Sequence, residues 1–184
     1  MEFNKINSKI FIISGKSGTG KTKTATIIKK ILEKENKKVI CLSYADSLNE
    51  YAKNILNWNG KEETKPKQFL QEIGTNLIRE KIDSKLLIRR MIENIKVYSY
   101  FYDIIIINDA IYLEEIVNIK NVFYNTKVIR IEKINNELNV TQKNHITETA
   151  LDTFNGYDYI IDNNNTIEKL TQKIVEVVKD ENFE

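Results

Sequence analysis

Cysteine, proline, histidine and tryptophan each occur once in the 184 residues, as Cys41, Pro66, His145 and Trp58. One thiol cannot close an internal disulfide, which excludes a disulfide scaffold and fits a reducing compartment. One imidazole, with no second histidine to join it, does not make a metal centre. Charge of one sign is also missing: 28 Lys and Arg face 26 Asp and Glu, a net charge of +2. That balance lacks the basic excess of a nucleic-acid binder, so any positive field must be local. Apolar runs such as Ile104 to Ile107 are far too short to cross a bilayer, and the opening MEFNKINSK lacks the charged-then-apolar pattern of a signal peptide. A soluble, cytoplasmic protein is expected, with no nucleic acid and no membrane as partner. What is present is ordinary: hydrophobic residues at 41% and charged residues at 29% exclude a disordered tail or a collagen-like rod, and the length suits one domain.

Residues 9–14, KIFIIS, form a β-branched apolar run without helical period that stops at Gly15, and read as a buried strand. From Lys21 onward Ala25, Ile28, Ile31 and Leu32 recur at spacings of three and four, the stripe of an amphipathic helix. A second strand over 38–43 and a second helix over 47–57 follow. Gly60 and Pro66 mark a loop or hinge over 57–67. Phe69, Leu70, Ile73, Leu77 and Ile78 predict one further helix, and residues 86–95 another, capped by Asp83 or Ser84. YDIIIIND, residues 102–109, is the most apolar strand and is expected at the centre of a parallel sheet, covered on both faces. A short helix over 112–119, strands over 127–132 and 157–161, and a helix over 166–178 complete the order. Strands alternating with helices predict an α/β fold, a parallel sheet with helices on both faces and its active edge at the strand C-termini. Two stretches break the rhythm, 57–95 and the polar 133–154, and are expected to be substrate-closing parts.

Between the first strand and the first helix stands GKSGTGKT, a full match to GxxxxGK[ST]. Gly15, Lys16, Ser17, Gly18, Thr19, Gly20, Lys21 and Thr22 would wrap backbone N–H groups round a phosphate chain, with the positive end of the helix dipole behind them. Lys21 would reach the β- and γ-phosphates, and the Thr22 hydroxyl would ligate Mg²⁺. The bland alternative is a glycine turn that starts a helix and holds no ligand. A switch-type GTPase needs an Asn-Lys-x-Asp segment; Asn125-Thr126-Lys127-Val128 departs from it, so ATP is favoured.

Asp109 closes the four-isoleucine strand, where a carboxylate holds the water shell of Mg²⁺, or caps the helix starting near Ile111. Asp46 lies just past the second strand and either orients an acceptor or caps its own helix. Arg79, Arg89, Arg90 and Arg130 are the arginines of the chain. A guanidinium fork matches phosphate oxygens in pairs, and Arg79 and Arg130 are placed for that, whereas Arg89 and Arg90 read as a solvated face. Cys41 reads as core packing, Trp58 as a base-stacking ring or a plug beneath the loop, and the aromatics from Tyr98 to Tyr102 as packing before the central strand.

Taken in order, these segments resemble the deoxynucleoside monophosphate kinases of phages and some bacteria, a branch of the P-loop nucleoside monophosphate kinases. The likeness rests on GKSGTGKT; on YADSLNEYAK from Tyr44, similar to A-D-x-L-K; and on KPKQFLQEIGTNLIR from Lys65, similar to L-L-Q-x-x-G-T-x-x-x-R. IIIND, HITETALD from His145, similar to H-x-[ST]-E, and IDNNNTIEKL from Ile161, similar to N-x-G-T-x-x-x-L, complete it. The resemblance implies a three-layer P-loop fold with a five-stranded core, ATP and Mg²⁺ as donor, and a deoxynucleoside monophosphate as acceptor. It implies acceptor-binding helices over 57–97, with Asp46, Gln71, Gly74 and Arg79 on that side, and a lid over 133–154 carrying Lys133, Lys143, His145 and Glu148. One departure stands out: where the family shows Asp-x-Arg, this chain reads Asp109-Ala110-Ile111, so that either Arg130, Lys133 or Lys143 supplies the missing charge or turnover is impaired.

The expected activity is in-line transfer of the ATP γ-phosphate to a (deoxy)nucleoside monophosphate. Two rivals are a P-loop kinase of another small phosphate such as phosphomevalonate, and a non-catalytic module whose partner affinity depends on ATP. Base preference, ribose against deoxyribose and a monomer against a homodimer are left open by the sequence.

Overall fold

The computed structural model describes residues 7–134, 151 and 154–181. Strand β1, Lys9–Ser14, leads through the glycine-rich loop into α1, Lys21–Lys34. Strand β2, Val39–Leu42, and α2, Ala45–Leu56, repeat the unit. A 3₁₀ turn, Glu62–Thr64, precedes α3, Lys67–Glu72, which widens without a break into a π-helical stretch, Ile73–Ile82. Then come α4, Leu86–Tyr98; β3, Ile104–Ala110; α5, Leu113–Val122; β4, Thr126–Glu132; β5, Tyr159–Asp162; and α6, Ile167–Asp180.

The five strands form one sheet in the order β2-β3-β1-β4-β5, every pair parallel, so the predicted α/β architecture is the observed one. Because side chains alternate across a strand, the sheet splits the core in two. Ile10, Ile12, Ile105, Ile107 and Val128 face the layer of α4, α5 and the π-helical stretch, against Ile78, Ile88, Met91, Ile95 and Ile116. Phe11, Ile13, Ile104, Ile106, Ile129 and Ile131 face α1 and α6, against Ala25, Ile28, Leu32, Leu170 and Ile174. Each such side chain contributes roughly 1.5–3 kcal/mol when fully buried. Doubly covered strands therefore read as unbroken apolar runs; β3, expected at the centre, is parallel and paired on both sides but stands second in the sheet, and β1 holds the middle.

Two irregularities set up the site. Between Ile12↔Ile107 and Ser14↔Ala110, β3 advances three residues while β1 advances two, a bulge that re-aims the carboxylate of Asp109. The helix expected over 69–78 is the second. Its first turns are α-helical, but from Ile73 the bonds reach five residues back, as from the Asp83 N–H to the Ile78 carbonyl at 2.8 Å. Among the described residues, no helix is long and apolar enough to cross a membrane.

Candidate active site

β1 and β3 are neighbours, so the glycine-rich loop and Asp109 emerge side by side from the C-terminal edge of the sheet. The loop needs its glycines. A Cβ on Gly15, where φ is +152°, would lie 2.5 Å from the Ile131 carbonyl oxygen, and one on Gly20, where φ is +101°, 2.6 Å from Asn163 Nδ2. The buried Thr19 donates its hydroxyl to the Lys16 carbonyl at 2.8 Å, and Asn163 Nδ2 donates to the Thr19 carbonyl at 2.8 Å. Lys21 Nζ lies over the loop, donating to the carbonyls of Gly15 at 2.7 Å and Lys16 at 2.9 Å. Lys16, Ser17, Gly18 and Thr22 complete the turn, and Thr22 is exposed in the first turn of α1.

Asp109 is held by the start of α2. Its Oδ2 accepts from Ser43 Oγ at 2.5 Å and from the Ala45 N–H at 3.0 Å, and its Oδ1 from the Tyr44 N–H at 2.9 Å. The capping alternative is therefore corrected: Asp109 serves the N-terminus of α2, not that of α5. Burial pushes its carboxyl up, while the three donors and the Lys21 charge pull it down. Asp46 is the second residue of α2, with Tyr44 at the N-cap, and accepts from the Ser43 N–H at 3.0 Å ahead of the helix, so the capping alternative is corrected here too: it braces the turn into α2 and does not cap it. Desolvation raises its carboxyl, with Asp109 and Glu50 adding to the rise.

Arg79 comes from the π-helical stretch and meets Glu115 of α5 in a buried ion pair, with its guanidinium 3.9 Å from the centre of the Tyr112 ring. Glu115 Oε2 accepts from the N–H groups of Ile111 at 2.8 Å and Tyr112 at 3.0 Å. Burial pushes the Glu115 carboxyl up, and Arg79 and the two N–H groups act in the opposite sense. Arg130 is buried on β4 opposite Ser14, with Nη1 3.2 Å from the Tyr157 hydroxyl and Nε 3.9 Å from Glu132. Gly74 is buried where a Cβ would stand 3.0 Å from Leu48 of α2, and Gln71 is exposed. Lys133 is exposed just past β4; Lys143, His145 and Glu148 lie outside the described residues.

Thr22 and Asp109 fit Mg²⁺ by donor type, both being hard oxygen donors. A carboxylate has about four lone-pair sites and Asp109 uses three, which leaves room for a bound water. Trp58 is tied into its own loop, its Nε1–H donating to the Lys61 carbonyl at 3.0 Å. Cys41 is half-buried on β2 against the α1 side of the core, where burial raises its thiol. Arg89 pairs with Asp83 at the surface.

Ser43, Glu115, Tyr112 and Asn163 escaped the sequence reading. Ser43 ends a predicted strand at the active edge, a position that could have flagged it. Glu115 stands three residues after Tyr112, the spacing of a carboxylate that returns to its helix start. Nothing local announces its partner, which is 36 residues away.

The sequence model of a family described as deoxynucleotide monophosphate kinase matches residues 21–174. Among curated proteins, none matches in sequence. Solved structures similar in fold include the Mycobacterium tuberculosis APS kinase in complex with AMPPNP and APS, with a TM-score of 0.58 at 11% identity over 95% of this chain and 99% of that one. Dephospho-CoA kinase from Campylobacter jejuni gives 0.53 at 17% identity over 95% and 98%. Shikimate kinase from Aquifex aeolicus gives 0.52 at 11% over 93% and 96%.

Proposed function

We propose that this chain, which belongs to the deoxynucleotide monophosphate kinase family, transfers the γ-phosphate of ATP in line to a (deoxy)nucleoside monophosphate, giving ADP and the diphosphate. The observation that carries this reading is the meeting, at one sheet edge, of a phosphate loop on β1 with Asp109 on β3 and with cations from two neighbouring elements, Arg79 and Arg130.

The acceptor needs little activation. A phosphate monoester has a second pKa of about 6, so at neutral pH it is already mostly a dianionic nucleophile and no strong base is required. The difficulty is to bring two polyanions together, align the attacking oxygen and exclude water. Residues 15–20 and the dipole of α1 would take the donor phosphates, and Lys21 would exchange its two carbonyl partners for phosphate oxygens. Thr22 and, through water, Asp109 would hold Mg²⁺, which when bound supplies charge neutralisation between donor and acceptor. Arg79 would receive the acceptor phosphate, with Asp46, Gln71 and Gly74 along the same side and Arg130 towards the transferring group. Helices within 57–97 bind the acceptor in this reading, and residues 133–154, with Lys133, Lys143, His145 and Glu148, close on it.

A coupled assay for ADP, run with ATP against ribo- and deoxynucleoside monophosphates in turn, tests the proposal. ADP release should depend on one or more of them, and Lys21→Ala should lower turnover by at least about 10²-fold. ADP released at one rate with and without every monophosphate overturns it.

A further inference from the structure

Glu115 is 2% exposed, the most buried charged side chain among the described residues. Closing the start of α5 does not require a charge: a Gln at the same position, three residues past Tyr112, reaches back to the same N–H groups. A carboxylate beside a site for two polyanions adds desolvation cost and repulsion, so its charge needs another reason.

The division of labour between its oxygens supplies one. Oε2 takes the N–H groups of Ile111 and Tyr112, which fixes the carboxylate to the backbone just beyond β3. Oε1 is thereby presented to Arg79 Nη2. The guanidinium is thus held in its plane by Glu115 and backed on one face by the Tyr112 ring at 3.9 Å. Arg79 Nε and Nη1 make no hydrogen bond among the described residues, and one of them together with the second N–H of Nη2 forms an edge that a phosphate would meet with two donors. An arginine already immobilised before its ligand arrives loses less side-chain freedom on binding.

We infer that Glu115 is a positioning residue for the acceptor: it holds Arg79, against Tyr112, in the orientation that receives the phosphate of the monophosphate. This rests on the monophosphate kinase reading above.

The test is a double-mutant cycle in steady-state kinetics, with the 5′-monophosphates of deoxyadenosine, deoxyguanosine, deoxycytidine and thymidine as probes. Glu115→Gln keeps an oxygen for Ile111 and Tyr112 but turns an amide N–H₂ towards Arg79, which cannot accept it. The KM for the best monophosphate should rise about tenfold, while the KM for ATP stays within about twofold. Against an Arg79→Ala background, the same substitution should change the monophosphate KM by less than about twofold, because the group through which it acts is gone. An unchanged monophosphate KM, equal rises for both substrates, or the same tenfold rise in both backgrounds overturns the inference. Should Glu115→Gln fail to fold, Tyr112→Leu leaves the carboxylate in place and should raise the monophosphate KM by about threefold in the wild-type background alone; no rise counts against the role. If the wild-type chain phosphorylates none of the four, the kinase reading itself falls. If it does so and the variants leave its kinetics unmoved, only the positioning role is lost.

Discussion

Gly20 shows how closely single positions in the phosphate loop are specified. Its φ of +101° lies where side chains are strained, and a Cβ there would press on Asn163 Nδ2 at 2.6 Å. Asn163 in turn holds the Thr19 carbonyl and donates its own N–H to the Glu132 carbonyl at 2.7 Å, tying the loop to the end of β4. Gly20→Ala should therefore cost about 1–3 kcal/mol in backbone strain and loosen this tie. Thermal unfolding should begin lower and the ATP dissociation constant, by calorimetry, should rise. If both stay at wild-type values, the loop is more compliant than its geometry implies. The loop was legible in the sequence because its chemistry is local: eight consecutive residues make the turn, the dipole and the donors. The acceptor side was not, because its contacts are distant in sequence, as when Asp109 meets Ser43 and Arg79 meets Glu115.

Among the secondary-structure elements, the strands were the most readable and the helix after the hinge the least. A strand covered on both faces has no alternation to misread, and β1, β3 and β4 fell within a residue or two of their expected bounds. Leu70 of α3 and Ile73 and Ile78 of the π-helical stretch are buried, whereas Leu77 is 43% exposed. The five-residue step from Ile73 to Ile78 is the wide turn, hidden in the sequence because Leu77 supplies an apparent four-residue step. That turn decides where Arg79 points. Removing the exposed Asn76 should restore α-helical bonding and rotate every later side chain relative to α5, separating Arg79 from Glu115. The expected outcome is loss of monophosphate-dependent ADP release, with ATP still bound by calorimetry because the phosphate loop lies on another layer. A deletion that leaves acceptor use intact would show that the wide turn has no part in aiming Arg79.

At the level of the whole molecule, the two core layers are joined through one sheet, and two tyrosines report on its ends. Tyr44 sits at the β2 end, its phenol pushed far above the ordinary tyrosine value of about 10 by burial, then by Glu115 and Asp109. Tyr159 lies on β5 at the other end and is pushed up likewise by desolvation and by hydrogen bonds to Asp180 and Glu181, each at 2.5 Å. Both groups keep their protons in the folded chain at a pH where the unfolded chain releases them. The stability they contribute is thus complete below about pH 10, the unfolded value, and is lost as pH climbs towards their folded values. Of the nine tyrosines, at least these two should stay un-ionised in a spectrophotometric alkaline titration until the circular dichroism of the fold collapses. They should then appear together if the layers unfold as one cooperative unit. Tyr44→Phe removes one of these groups while keeping the ring, and should move the alkaline midpoint upward. If all nine ionise reversibly near pH 10 with the fold intact, neither phenol is shielded in solution and the enclosure of the β2 end around Asp109 and Glu115 is looser than its hydrogen bonds imply.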